Sequence, residues 1–380
     1  MKVFNIGNIP IKSWATEVEE AALKQAENLS NLPFAYKHIA LMADVHVGFG
    51  MPIGGVLASD GMIIPNAVGV DIGCGIMAVK TDIKEISKKQ IKKIVYKAHE
   101  NIPLGFKHHK KEVEWEGFQK APKYEVVQKE LKAATKQLGT LGSGNHFMSM
   151  EKGSDGHIWL MIHSGSRNFG YKIANYYNKV ANKINKKTKL IPKKYDLAGL
   201  SIDSKEGREY YDAMNYSLKF AEANREKLFE QFYEIFAKET KSKDILKTVS
   251  IHHNYASIEE HFGKEVIVHR KGAIRAEKGE LGIIPGSMGT PSYIVEGLGN
   301  KESFKTCSHG AGRVMSRRKA NKVITEEIAN KAMEGIIFKG WKKDYSEAPM
   351  AYKDIEEVLE NQSDLVKPLV KLRPLGVIKG

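Results

Sequence analysis

Gly69-Val70-Asp71-Ile72-Gly73-Cys74-Gly75 runs directly into Ile76-Met77-Ala78-Val79-Lys80. The first seven residues carry too much glycine for a regular element, and the next five form a short apolar run that reads as a strand. An Asp and a Cys three apart, enclosed by glycines, can aim a carboxylate and a thiolate at one point. A thiolate forms readily beside a divalent metal. The plain alternative is a turn whose Cys is merely a small buried hydrophobe.

Outward from this stretch, two kinds of territory alternate. Blocks rich in Gly and His with short apolar runs occupy 41–79, 138–170, 282–300 and 306–313. Lys/Glu-rich blocks with helical periodicity occupy about 15–30, 83–100, 125–137, 170–188, 205–241, 317–338 and 354–361. In 209–241, Tyr211, Met214, Leu218, Phe220 and Leu228 recur at three-to-four spacing, as an amphipathic helix requires. Segments 75–80, 157–163 and 264–270 read as strands. No internal repeat or low-complexity linker divides the chain. The Lys-rich stretch 182–194 could join two lobes, but chemistry-bearing blocks lie on both sides of it. The expectation is one compact α+β domain over 1–380, with a helical insertion at about 171–245.

The 380 residues are 42% apolar and 27% charged, a globular composition. No run of about 18 uncharged apolar residues is present, so no membrane span is expected. The first residues lack the apolar core of a secretion signal. Two cysteines, Cys74 and Cys307, make no disulfide framework, which points to a reducing cytoplasm. Lys and Arg exceed Asp and Glu by 59 to 45, a formal charge of +14. That surplus suits a polyanionic partner, nucleic acid above all, and equally a solubilising Lys-rich surface.

Three further blocks place a His at the end of an apolar segment: Gly139–Phe147 with His146, His163–Gly170 with Arg167, and His252-His253-Asn254. One such His is most often a core or turn residue. Three of them, joined with Asp71 and Cys74, can complete a one- or two-metal site. The soft thiolate by itself favours Zn²⁺ or Fe²⁺. Pro285–Tyr293 offers hydroxyls and free backbone N–H groups suited to phosphate, or is an ordinary Gly/Ser loop. In Cys307-Ser308-His309-Gly310-Ala311-Gly312-Arg313, an imidazole among small residues precedes an Arg by four. Such a His can attack phosphorus when its other nitrogen is held, and a guanidinium can stabilise the charge that develops. A structural turn or a further metal ligand is the alternative. No P-loop, Lys-x-Asp-Gly lysine or dinucleotide fingerprint is present, which leaves His309 the better site for a covalently attached nucleotide.

Taken together, the blocks starting at Asp44, Gly69, Gly139, His163, His252, Pro285 and Cys307, with Ala351-Tyr352-Lys353-Asp354 and Val377-Ile378-Lys379-Gly380, resemble the RtcB family of RNA-splicing ligases. They follow the family order across most of the chain. The resemblance implies mixed sheets around a central metal and nucleotide cleft. It implies a GTP-dependent ligase with two Mn²⁺ ions, joining an RNA 3′-phosphate or 2′,3′-cyclic phosphate end to a 5′-hydroxyl end in RNA repair or tRNA splicing. Carried over by motif, Cys74 bridges the two ions, His146 and His163 complete one, and Asp71 and His253 complete the other. His309 accepts GMP. Asn145, Ser287, Ser292, Ala311, Arg313, Tyr352 and Lys379 fall where the family contacts the nucleotide, and Arg167 where an RNA phosphate is expected. An accessory activator protein is also left open.

The chain departs from the family at Ser149, where the pattern carries a Glu that reads guanine. A Ser cannot accept two guanine N–H bonds as a carboxylate does. Either Glu151, on the same face of an extended strand, substitutes, or guanine selectivity is relaxed. Lys107-His108-His109-Lys110-Lys111 and the 182–194 stretch are candidate RNA phosphate contacts, with a solvated face as the alternative. The rival reading of the whole is a two-metal phosphodiesterase or cyclic-phosphate hydrolase that needs no GTP.

Overall fold

The glycine turn at 69–75 releases into the strand Gly75–Thr81. In the computed structural model, which describes residues 1–380, that strand is second in an antiparallel seven-stranded sheet. The order is Ile245–His252, Gly75–Thr81, Ile158–Ser164, Phe147–Gly153, Val366–Lys379, Ser292–Gly297, Leu281–Ile284. The two edge strands pack against one another, so the sheet nearly closes into a barrel. Side chains alternate across it as a pleat demands. Ile76 and Ala78 join Trp159, Met161, Val249 and Ile294 in one cluster. Met77 and Val79, with Met148, Leu160 and Ile162, face the helices Lys88–Asn101 and Lys205–Thr240.

A six-stranded sheet lies alongside, in the order Lys2–Phe4, Ile11–Ser13, Ala35–Phe49, Met51–Ser59, Lys264–Lys271, Asn254–His261. It is mixed through one parallel pair, Ile11–Ser13 with Ala35–Phe49. The chain passes from the first sheet to the second at His253, between the strands Ile245–His252 and Asn254–His261. That crossing brings the ends of the two sheets together.

The helical region expected at 171–245 contains two long helices. Arg167–Thr188 starts four residues before it, and Lys205–Thr240 leads straight into the strand at 245. The long helix starts where the Ser204 side chain accepts the Gly207 N–H, and it ends on Lys241 in the left-handed region. Met214, Phe220 and Leu228 are buried as the periodicity predicts, but Tyr211 and Leu218 are only half-buried. Tyr210, Phe229, Phe232 and Phe236 take the core positions instead. Each buried phenylalanine contributes about 1.5–3 kcal/mol.

The expected helix at 317–338 is two short ones, Arg317–Val323 and Glu326–Ala332. Thr325 makes the break: its side chain accepts the Ile328 N–H and starts the second helix. Both cysteines are free and buried, and Cys307 sits in the core between the sheets. No helix is long and apolar enough to cross a membrane.

Candidate metal centre and its adjoining cleft

Strand register gathers the chemistry at one end of the seven-stranded sheet. Gly75 pairs with Ser164 and with His252, Ile76 with His163, Phe147 with His163, and Lys379 with Phe147. Cys74, His146, His163 and His253 therefore sit at neighbouring strand ends. The turn before Cys74 lies against the helix Lys205–Thr240. A Cβ on Gly73, whose φ is +72°, would stand 2.9 Å from Ala221 Cβ, so only glycine allows this approach.

Cys74 Sγ lies 3.2 Å from His163 Nε2 and 3.4 Å from His146 Nε2. His146 Nε2 is 3.2 Å from Asp71 Oδ2, and its Nδ1–H donates to the Leu141 carbonyl at 2.9 Å. That second bond turns Nε2 toward the cluster. The donor atoms fall into two groups, Cys74 with His163 and His253, and Cys74 with Asp71 and His146. Cys74 belongs to both groups, and the rings of His146 and His253 each lie beside that of His163, at centroid separations of 5.4 and 5.1 Å.

The donor set fits a cation. His253 Nδ1 is buried with no hydrogen-bond partner. Burial, and next His309, holds the His253 imidazole well below its ordinary range, while burial and His146 do so for His163. Both rings are thus neutral, the form that ligates metal. Burial, reinforced by the Asp71 carboxylate, pushes the Cys74 thiol well above its usual value. A divalent ion reverses that penalty.

His309 adjoins this cluster, its ring centroid 4.8 Å from that of His253. Its Nδ1 donates to Asp44 Oδ2 at 2.6 Å. Burial raises the Asp44 carboxyl, but His309 and then His46 outweigh that and hold it below its ordinary value. Asp44 comes from the strand Ala35–Phe49 of the other sheet, so both sheets contribute to the site.

From His309 a cleft of about 180 Å³ opens. All seven expected nucleotide-contact residues line it: Asn145, Ser287, Ser292, Ala311, Arg313, Tyr352 and Lys379. Ser149 and Glu151 line it too. Ser149 Oγ donates to Glu151 Oε1 at 2.7 Å, while Oε2 is buried without a partner. Burial pushes the Glu151 carboxyl up to about 7. Arg313 is already engaged, by Glu347 at 3.2 Å, the Ser346 carbonyl at 2.6 Å and the Met315 carbonyl at 3.1 Å. Arg167 begins its helix with φ +58° and donates through Nε to Thr140 Oγ1 at 3.2 Å. Burial lowers its pKa, and Asp71 acts in the opposite direction.

Sequence reasoning missed four residues that organise these groups. Asp44 holds His309. Glu347 gathers Arg313, Arg317, Tyr352 and Lys379; burial raises its carboxyl, but Lys379 and Tyr352 prevail and bring it down to about 2. Asn224 accepts the Gly139 N–H at 2.8 Å and donates to Ser164 Oγ at 3.0 Å and the Gly165 carbonyl at 3.1 Å. Arg225 donates to the Gly73 and Ser164 carbonyls at 3.1 and 3.2 Å. The last two form a polar step on an otherwise apolar helix face, the one signal the sequence offered for them.

The family model described as tRNA-splicing ligase RtcB matches residues 25–123 and 109–380. The chain is similar to the RNA-splicing ligase RtcB of Escherichia coli K12, with 38% identity over 98% of each chain. It is similar to the tRNA-splicing ligase RtcB of Thermococcus kodakarensis, with 31% identity over 95% of this chain and 92% of the relative. The Archaeoglobus fulgidus protein of the same description is 33% identical over 96% and 92%.

Proposed function

The chain belongs to the RtcB family, and we propose that it works as an RNA ligase joining 3′-phosphate or 2′,3′-cyclic phosphate ends to 5′-hydroxyl ends. The observation that carries this is His309: its Nδ1 is bound to a buried carboxylate, and its ring stands beside a converging set of metal-type donors. A phosphodiesterase needs the donors but not a nucleophilic imidazole.

His309 attacks the α-phosphorus of GTP. A P–N bond forms, pyrophosphate leaves, and Asp44 keeps the Nδ1 proton so that Nε2 supplies the electron pair. GMP then passes to the RNA 3′-phosphate, which converts a poor electrophile into an anhydride. The 5′-hydroxyl displaces GMP and closes the phosphodiester. Asp71, Cys74, His146, His163 and His253 would hold two Mn²⁺ ions. Bound there, the ions neutralise phosphate charge and favour in-line attack. Asn145, Ser287, Ser292, Ala311, Arg313, Tyr352 and Lys379 bind the nucleotide, with Glu347 holding Arg313 and Lys379 in place. Arg167 meets the RNA phosphate. Glu151, supported by Ser149, reads the guanine edge in place of the family's Glu at residue 149: its free Oε2 accepts what Ser149 cannot. The cytoplasm suits a chain with two free, buried thiols.

The test is incubation with radiolabelled GTP and Mn²⁺ followed by a denaturing gel, then ligation of a matched pair of RNA ends. Acid-labile label on the protein, absent in His309→Ala, supports the ligase. Cleavage of RNA ends without GTP and without label would establish the hydrolase instead.

A further inference from the structure

We propose that Phe106 is a stacking platform for a base of single-stranded RNA, steering the strand's end to the metal centre; this rests on the ligase reading above. Phe106 is 93% exposed, and it is the sole large apolar side chain exposed between Tyr96 and Tyr171 in the sequence. Its loop is fixed at both feet. On one side Gly105 N–H donates to the Gly142 carbonyl at 2.8 Å, and Leu141 N–H donates to the Pro103 carbonyl at 3.0 Å. On the other, His109 N–H donates to the Lys136 carbonyl at 3.0 Å, and the His109 ring Nε2 bonds the Gly139 carbonyl at 3.2 Å.

These anchors belong to the loop that carries His146. The Leu141 carbonyl accepts the His146 Nδ1–H, and the Gly105 carbonyl accepts Arg167 Nη2 at 3.4 Å. Arg167 lies so close over Gly142 that a Cβ there would stand 2.2 Å from its guanidinium. The exposed ring is therefore held by the segment that positions a metal-type ligand and the expected phosphate-binding arginine.

Charge complements the ring. Lys107, Lys110 and Lys111 follow it and are exposed. Gly380, packed against Gly105 and Gly142, lines a second cavity with Arg317, Lys339, Lys342 and Lys379, four cations to the two carboxylates Asp344 and Glu347. Arg317 and Lys379 also line the main cleft. Phe106 and its lysines thus adjoin, through Gly105 and Gly380, a cavity that shares Arg317 and Lys379 with the cleft at His309. One aromatic ring among lysines suits an unpaired base on a phosphate backbone. A protein partner would need a broad apolar patch, and a lone ring supplies none.

The test uses a short fluorescent single-stranded RNA with a 3′-phosphate and the full chain. Phe106→Ala should bind it about tenfold more weakly and show a KM for RNA raised by a similar factor. Phe106→Trp should bind as the wild type does, and GTP labelling of His309 should be unchanged in both. Wild-type affinity in Phe106→Ala would overturn the proposal. So would weak binding by Phe106→Trp, or a parallel loss of labelling, which would make the loop a mere support of the centre. A wild-type chain that neither labels nor ligates would count against the ligase reading instead, and the binding comparison would still decide the role of Phe106.

Discussion

One oxygen of Asp44 holds both the ring and the backbone of His309: Oδ2 accepts Nδ1–H at 2.6 Å and the peptide N–H at 3.2 Å. Asp44 is fully buried, so neither bond competes with water. With Nδ1 committed as donor, Nε2 is left as the free base. Asp44→Asn is nearly isosteric but offers an amide where the ring needs a carboxylate. The rate of GMP attachment should fall roughly 10³–10⁴-fold while the fold persists. A labelling time course at saturating GTP, with a melting curve on the same sample, checks this. An unchanged rate would remove Asp44 from the mechanism.

Metal binding should be proton-linked. In the metal-free chain the Cys74 thiol is held well above its ordinary range by burial and by Asp71, so it carries its proton. A cation must displace that proton, and affinity should therefore rise with pH. Titration of chelator-stripped protein with Mn²⁺ in dilute buffer, read by an indicator dye, should show proton release. Cys74→Ala should lose both the release and the GMP label, because it removes the donor common to both groups.

The candidate metal donors were legible because their side chains are chemically unusual and sit in glycine-rich turns that begin or end strands. Asp71 and Cys74 declare themselves within four residues. Asp44 also heads a glycine-rich block, but nothing local says that its partner stands 265 residues away. Packing of the strand Thr306–Ser308 against Ala35–Phe49 made that pairing. The long helix was legible from its period, yet not which tyrosine it buries, since Tyr210 and Tyr211 differ by only 100° of rotation. The break at Thr325 was hidden because a threonine reads as helix interior until its side chain is seen bonding a backbone N–H.

Glu151 gives a stability signature that its neighbours lack. The folded chain holds its proton up to about 7, against an ordinary 4.5. The contribution is therefore fully present below 4.5 and is lost as pH rises through 7, a swing of roughly 3 kcal/mol. Without nucleotide, the urea midpoint should fall between pH 5 and pH 8, and Glu151→Gln should flatten that fall. The same variant should discriminate GTP from ATP less sharply, since an amide offers one acceptor where the carboxylate offers two. Equal selectivity in both proteins would assign guanine reading elsewhere.

Arg225 separates support of the centre from stability. Its guanidinium is buried, brought down to about 10 by burial, and it ties Gly73 to Ser164, the residues beside Cys74 and His163. Two effects oppose each other in Arg225→Met. Removing a buried charge recovers its desolvation cost. The Ser164 and Gly73 carbonyls then lose the guanidinium, at up to roughly 1–3 kcal/mol each, while His252 Nδ1 stays within 3.2 Å of the Gly73 oxygen. The net loss of stability should be modest, because methionine fills much of the volume. The effect on the metal should be larger: Arg225 is also the nearby cation that favours the Cys74 thiolate, and without it the thiol rises further. Mn²⁺ affinity should drop by at least about tenfold, the usual cost of losing a group that orients metal ligands. Arg225→Lys should restore the charge but not the fork that spans two carbonyls, and should recover affinity only in part. Mn²⁺ titration followed by electron paramagnetic resonance, beside urea unfolding, checks both quantities. A variant that loses stability but binds Mn²⁺ normally would reduce Arg225 to a packing residue.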